Sequence, residues 1–208
     1  MFQEEFKKNP GTVWIMKPVG KAQGKGIFLI NKLSQISQWR KEPRSTAAAG
    51  NGPTATDKPE PEAYIVQRYI HNPYLIGGRK FDLRIYVLVV SYSPLIVYVH
   101  RNGFCRFSNS LFSMDTKELA NLYIHATNVA VQKTNPNYDS ERGCKWLLRN
   151  LKMYLMSKHG EVTVRMLFSQ IESLIIRSLL CVQKVMIHDK HCFELYGYDV
   201  LVDEELKP

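Results

Sequence analysis

The stretch that decides the fold is Lys80–Val90, KFDLRIYVLVV. Phe81, Leu83, Ile85, Val87 and Val89 alternate with Lys80, Asp82 and Arg84. A period of two puts the apolar set on one face of a β-strand and the charges on the other. Charged residues sharing a strand face are costly to bury unless they are paired. Two readings follow: a plain exposed edge, or the wall of a cleft. In a cleft, Lys and Arg would hold phosphates or stabilise charge that develops in phosphoryl transfer.

Upstream, residues 63–70 (AYIVQRYI) read as a buried strand closed by Asn72-Pro73. Downstream, LIVYVH (95–100), a turn at Arg101-Asn102-Gly103 and FCRFS (104–108) predict a hairpin, because Asn-Gly is a strong two-residue turn signal. Near the start, TVWIMK (12–17) alternates and stops at Pro18, and IFLINKL (27–33) forms a second strand candidate. The turn between them is KPVGKAQGKGI (17–27). It is not a Walker loop, since only three residues lie between Gly20 and Gly24 and Lys25 precedes Gly26; the GxGxxG spacing fails too. What remains is a glycine-rich hairpin turn. It is either structural or folds over phosphates with backbone N–H groups and lysines, Lys17 standing at its start.

The last third turns helical. Val164, Leu167, Phe168, Ile171, Leu174, Ile175, Leu179 and Val182 recur at three- and four-residue steps, which predicts a helix with a core-facing stripe. A weaker helix is expected over 146–156, and CFELYGYDVLVDEEL (192–206) predicts a final strand pair. Residues 41–62, rich in proline and glycine without a large apolar residue, predict a mobile insertion within the domain. Strands, then helices, then strands again give an α+β fold.

The bulk composition bounds the function. With 208 residues, 45% apolar and 11% aromatic, the chain is long and apolar enough for a globular core. No apolar run reaches the roughly 18 residues of a membrane helix, so no membrane insertion is expected. The start carries no apolar signal region. Four cysteines without CxxC pairing predict reduced thiols in the cytosol. The motif HDKHC (188–192) lacks a full tetrahedral zinc set. A formal charge of +9 favours an acidic partner: nucleic acid, an anionic membrane face, nucleotide phosphates or an acidic protein tail. The basic residues are scattered and form no nucleic-acid motif, so nucleic acid is not expected. Arg106 lies between Phe104 and Phe107, and Asp199 lies in the terminal strand; one carboxylate is weak evidence for Mg²⁺ by itself.

Taken in order, WIMKP…GKAQGKGIFLI, YIVQRYI.NP.LIGGRKFDLRIYVLV, GFCRF, H.TN.AVQK and KHCFELYGYDVLVD resemble the tubulin–tyrosine-ligase-like domain, an ATP-grasp fold. The likeness covers nearly the whole chain apart from 41–62 and is nearest to the branch that adds glutamates to tubulin tails. The resemblance implies ATP and Mg²⁺ as cofactors, with Lys17 on phosphate and Gln23 and Gly24 along the nucleotide. It implies adenine bound through the backbone of Gln67, Arg68, Tyr69 and Ile70, and ribose and phosphate contacts from Lys80, Phe81 and Asp82. Thr127 and Asn128 would lie near phosphate and metal, and Arg84 would stabilise transition-state charge. Arg106 and Lys145 would hold the carboxylates of free L-glutamate, and Asp199 would be a magnesium ligand. The implied partners are the acidic C-terminal tails of tubulin and microtubules, in the cytoplasm and cytoskeleton with a cilium or basal body as the site. The implied reaction passes through an acyl phosphate and needs no enzyme nucleophile. A non-catalytic basic module that binds microtubule tails is the alternative. The family continues past Pro208 into a strand carrying Glu and Asn ligands, and it places a lobe before Trp14. A partial domain, truncated at both ends and inactive as it stands, is therefore expected. In the protein extended past Pro208, Lys17→Ala and Asp82→Ala are expected to remove glutamate addition while leaving the fold intact.

Overall fold

A computed structural model of the protein describes residues 2–41, 62–138, 144–187, 189 and 191–208. Nearly all of the expected 41–62 insertion, and His188 and Lys190 of HDKHC, lie outside them. The described residues form two compact units, Met1–His71 with Asp115–Ala120, and Asn72–Met114 with Asn121–Pro208.

The first unit holds helix α1 (Phe2–Lys8), strands β1 (Trp14–Pro18) and β2 (Phe28–Ile30), helix α2 (Leu33–Lys41) and strand β3 (Tyr64–Arg68). Its sheet is antiparallel in the order β2-β1-β3. The expected hairpin around the glycine-rich turn is present. Trp14, Met16 and Ile30 are buried and packed by Phe2, Phe6, Phe28 and Trp39. Two expectations are corrected. The second strand ends at Ile30 and a helix follows, because Gln35 Oε1 accepts the N–H groups of Asn31 and Lys32, both at 2.9 Å, and opens α2. Residues 64–68 are not a buried strand: β1 takes the middle of the sheet, so β3 is left at an edge and Ile65 is half exposed.

The second unit runs β4 (Leu75–Ile76), β5 (Arg79–Tyr92), β6 (Leu95–Phe107), α3 (Leu122–His125), α4 (Val129–Gln132), β7 (Lys145–Leu147), α5 (Leu148–His159), α6 (Glu161–Val182) and β8 (Glu194–Val200). Its antiparallel sheet follows β4-β5-β6-β7, with β8 also paired to β5. The Phe81, Leu83, Ile85, Val87 and Val89 face is buried against Leu151 and Leu155 of α5 and Val164, Leu167, Ile171, Ile175 and Leu179 of α6. Leu174 and Val182, expected in the helical stripe, are instead partly exposed.

The hairpin expected at Asn102-Gly103 is corrected. β6 runs unbroken through it, and the register steps from Val99 opposite Val87 to Gly103 opposite Ile85. His100 to Asn102 are thus a bulge on β6. Gly103 passes so close to β5 that a Cβ there would stand 2.5 Å from the Arg84 carbonyl oxygen. β6 instead turns back on β5 at Ser93-Pro94, with Tyr92 opposite Leu95, and a second two-residue turn at Gly77-Gly78, with φ values of 58° and 71°, joins β4 to β5. The expected terminal strand pair is a single strand. After β8 the chain turns, with Asp203 Oδ1 accepting the N–H groups of Glu205 and Lys207 at 3.0 and 2.8 Å.

Candidate active site

The charged face of β5 is not an edge. With β6 on one side and β8 on the other, Lys80 and Asp82 are buried and Arg84 is half-buried. Register places Asp82 opposite Arg106, Arg106 opposite Lys145, and Arg84 opposite Asp199. Arg106 donates Nε–H to Asp82 Oδ1 at 2.8 Å and Nη2–H to Oδ2. Its Nη2 also lies 2.8 Å from Asp199 Oδ1. Arg84 then holds both oxygens of Asp199, through Nε at 2.7 Å and Nη2 at 3.2 Å. The result is one alternating network, Asp82–Arg106–Asp199–Arg84. Burial alone would lower the Arg106 pKa, but the two carboxylates outweigh it and raise the pKa further above the usual guanidinium range. Arg106 is therefore a permanent cation.

Lys80 anchors a neighbouring turn, its Nζ donating to the His125 carbonyl at 2.9 Å. The same turn is fixed by Gln132, fully buried, which donates to the Ala126 carbonyl at 2.5 Å and the Tyr123 carbonyl at 3.1 Å and accepts from the Asn109 N–H at 2.8 Å. Thr127 is buried and Asn128 is half-buried at the start of α4. The Lys145 ammonium sits 4.8 Å from the centre of the Phe104 ring, on exposed β7. The Phe81 side chain turns the other way, into the core, 5.3 Å from the Phe107 ring; only its backbone lies on the charged face. Cys105 is buried beneath the site, and burial pushes its thiol up to about 12, so it is no nucleophile at neutral pH.

The other expected residues lie in the first unit. Lys17 donates to Gln67 Oε1 at 2.7 Å on the face of the sheet away from Trp14 and Met16, and partial burial lowers its pKa. In the turn, Gln23 and Gly24 take left-handed φ values of 62° and 79°; for Gln23 this is a rare conformation for a residue with a Cβ. The Arg68 guanidinium is committed to Glu5 at 2.7 Å and lies over the Trp14 ring. The Tyr69 N–H donates to the Val13 carbonyl at 2.9 Å. By the alternation of an antiparallel ladder, Arg68 and Ile70 then turn their backbone groups away from β1.

Asp199 is the carboxylate of the network that reaches solvent, its side chain 46% exposed. Of roughly four acceptor positions on a carboxylate, Arg84 and Arg106 occupy three. One oxygen position remains that could face a cation. Among the described residues no group of three or more His, Cys, Asp or Glu is arranged to hold a metal. A cation at that position would have to draw its other ligands from groups such as phosphate oxygens.

These rows of residues match, over residues 1–208, the tubulin-tyrosine ligase family. The chain belongs to that family. It is 51% identical over 227 residues to a Bos taurus protein named probable tubulin polyglutamylase TTLL9, covering all of this chain and 49% of that one. It is 50% identical over 209 residues to the probable tubulin polyglutamylase ttll-9 of Caenorhabditis elegans, covering all of this chain and 47% of that one. It is 47% identical over 208 residues to the probable alpha-tubulin polyglutamylase Ttll1 of Tetrahymena thermophila, covering all of this chain and 49% of that one. The chain thus spans about half the length of these family relatives. Two residues that sequence reasoning did not single out also shape the site. Gly197 had a signal, a glycine inside an otherwise regular strand. Gln132 had none, since its buried bonds arise only from tertiary packing.

Proposed function

We propose that this chain is a partial ATP-grasp-like domain of a ligase that adds glutamate to glutamate side chains in tubulin C-terminal tails. The observation that carries the reading is the Asp82–Arg106–Asp199–Arg84 network on the sheet face next to Lys80, in a chain of the tubulin-tyrosine ligase family. When bound, ATP supplies the γ-phosphate that activates a tail carboxylate as an acyl phosphate, and Mg²⁺ supplies charge neutralisation. Lys17, with Gln23 and Gly24, is the phosphate-binding group of the first unit, and Lys80, with Thr127 and Asn128, that of the second. The backbone at Gln67, Arg68, Tyr69 and Ile70 faces adenine, and Asp82 and the Phe81 backbone face ribose. Asp199 offers one oxygen to the metal. Arg84 stabilises charge on the transferred group, while Arg106 and Lys145 orient free L-glutamate by its carboxylates. No side chain acts as a covalent nucleophile, so catalysis is positioning plus electrostatics. A tail-binding protein of this kind belongs with microtubules, in the cytoskeleton and cilia.

A second reading, a basic module that binds tails without catalysis, is favoured by the charge of +9. Mass spectrometry of tubulin tails after incubation with a protein of the relatives' full length that contains this chain, ATP, Mg²⁺ and glutamate separates the two. Added glutamyl residues, lost in Lys17→Ala, support the ligase. Tail binding without ATP affinity supports the module, and neither activity nor binding overturns both.

A further inference from the structure

Two glycines press on Arg84 from opposite sides, and they do so differently. At Gly103 a Cβ would meet the backbone oxygen of Arg84 at 2.5 Å, which no side-chain movement relieves. At Gly197 a Cβ would meet the far end of the Arg84 side chain instead: Nη1 at 2.5 Å, Cδ at 3.2 Å and Cζ at 3.3 Å. Gly197 lies on β8 opposite Tyr86, between the site strand's Arg84 row and the Leu88 row. Glycine weakens a strand interior, so its presence there calls for a group that comes close. The group is the Arg84 guanidinium, which lies along the bare backbone at Gly197 and reaches the Asp199 carboxylate two residues on.

We propose that Gly197 is a positioning residue whose missing side chain seats Arg84 in its two-bond pairing with Asp199. This deepens the ligase reading above and rests on it for the purpose of the seat. Any side chain at 197 lifts Arg84 off the strand, breaks its alignment with Asp199 and removes a cation from the place where phosphate charge gathers. Because the displaced group is a flexible, part-exposed side chain, the fold is unaffected. Gly103→Ala forces β5 and β6 apart and lowers stability.

The test follows the Arg84 Nε–H by NMR in the chain and in Gly197→Ala, and measures MgATP affinity in both. In the wild type that proton exchanges slowly with solvent. In Gly197→Ala it exchanges fast, the melting midpoint is unchanged and MgATP binds roughly tenfold more weakly. Adding Gly197→Ala to Arg84→Ala brings no further loss of affinity or stability, because the seat is then empty. Unchanged Nε–H exchange in Gly197→Ala overturns the proposal. So does a further loss in the double variant, which would make Gly197 a backbone requirement. A wild-type chain with no MgATP affinity overturns the nucleotide-site reading, while the exchange measurement still decides whether Gly197 seats Arg84.

Discussion

At the scale of single residues, Asp82 changes meaning once its surroundings are known. Its sequence setting leaves it on a plain exposed edge or on a cleft wall, and in either place its removal is expected to spare the fold. In the structure the Asp82 and Arg106 side chains are 11% and 8% exposed and bonded to each other. Asp82→Ala therefore leaves a buried guanidinium with one carboxylate fewer. Removing one partner of such a pair costs about 3–5 kcal/mol. Asp199 remains beside Arg106, so the lower end of that range is expected. Asp82→Ala is thus expected to lower stability as well as activity. Urea unfolding is the check, and a midpoint equal to wild type would remove Asp82 from the internal network. Lys17 differs: it is part-exposed and donates to Gln67, so Lys17→Ala is expected to keep wild-type stability.

At the scale of elements, α6 is the clamp on the back of the site sheet. Ile171 is 1% exposed in the middle of its buried stripe, whereas Met166, one helical position off that stripe, is 59% exposed. Ile171→Ala creates a cavity beneath β5 and should cost about 2–5 kcal/mol. Met166→Ala should stay within about 0.5 kcal/mol of wild type. Equal effects in thermal or urea unfolding would mean that the helix packs by another face. The stripe was legible because helical period survives translation into structure. The Asn102-Gly103 signal misled because a bulge and a tight turn ask for the same residues, and only the pairing partner tells them apart.

At the scale of the whole molecule, buried acids govern the alkaline limit. Burial raises the pKa of Cys105 from 9.0 to about 12 and raises that of Tyr69 above its ordinary value. Well below pH 9 both states of the chain keep these protons and nothing changes. Above it the unfolded chain ionises first, so stability should fall as pH climbs from about 9 toward 12. Unfolding curves across that range are the check, and Cys105→Ala should flatten part of the slope. The charge of +9 also predicts that binding of an acidic tail peptide weakens with added salt, measurable by titration at two ionic strengths.

The sequence by itself determined the strand of Lys80–Val90 with its two faces, the buried stripe of α6, the glycine-rich hairpin and the family, because these rest on local period and on ordered motifs. Tertiary structure alone decided that the charged face is central and not an edge, since strand order is set by contacts far apart in the chain. It likewise decided that Asp82 and Arg106 neutralise each other in the interior, and that a glycine 113 residues beyond Arg84 lies beneath its guanidinium. Register across β6, β5 and β8 does this, and register is a property of the assembled sheet, not of any one strand.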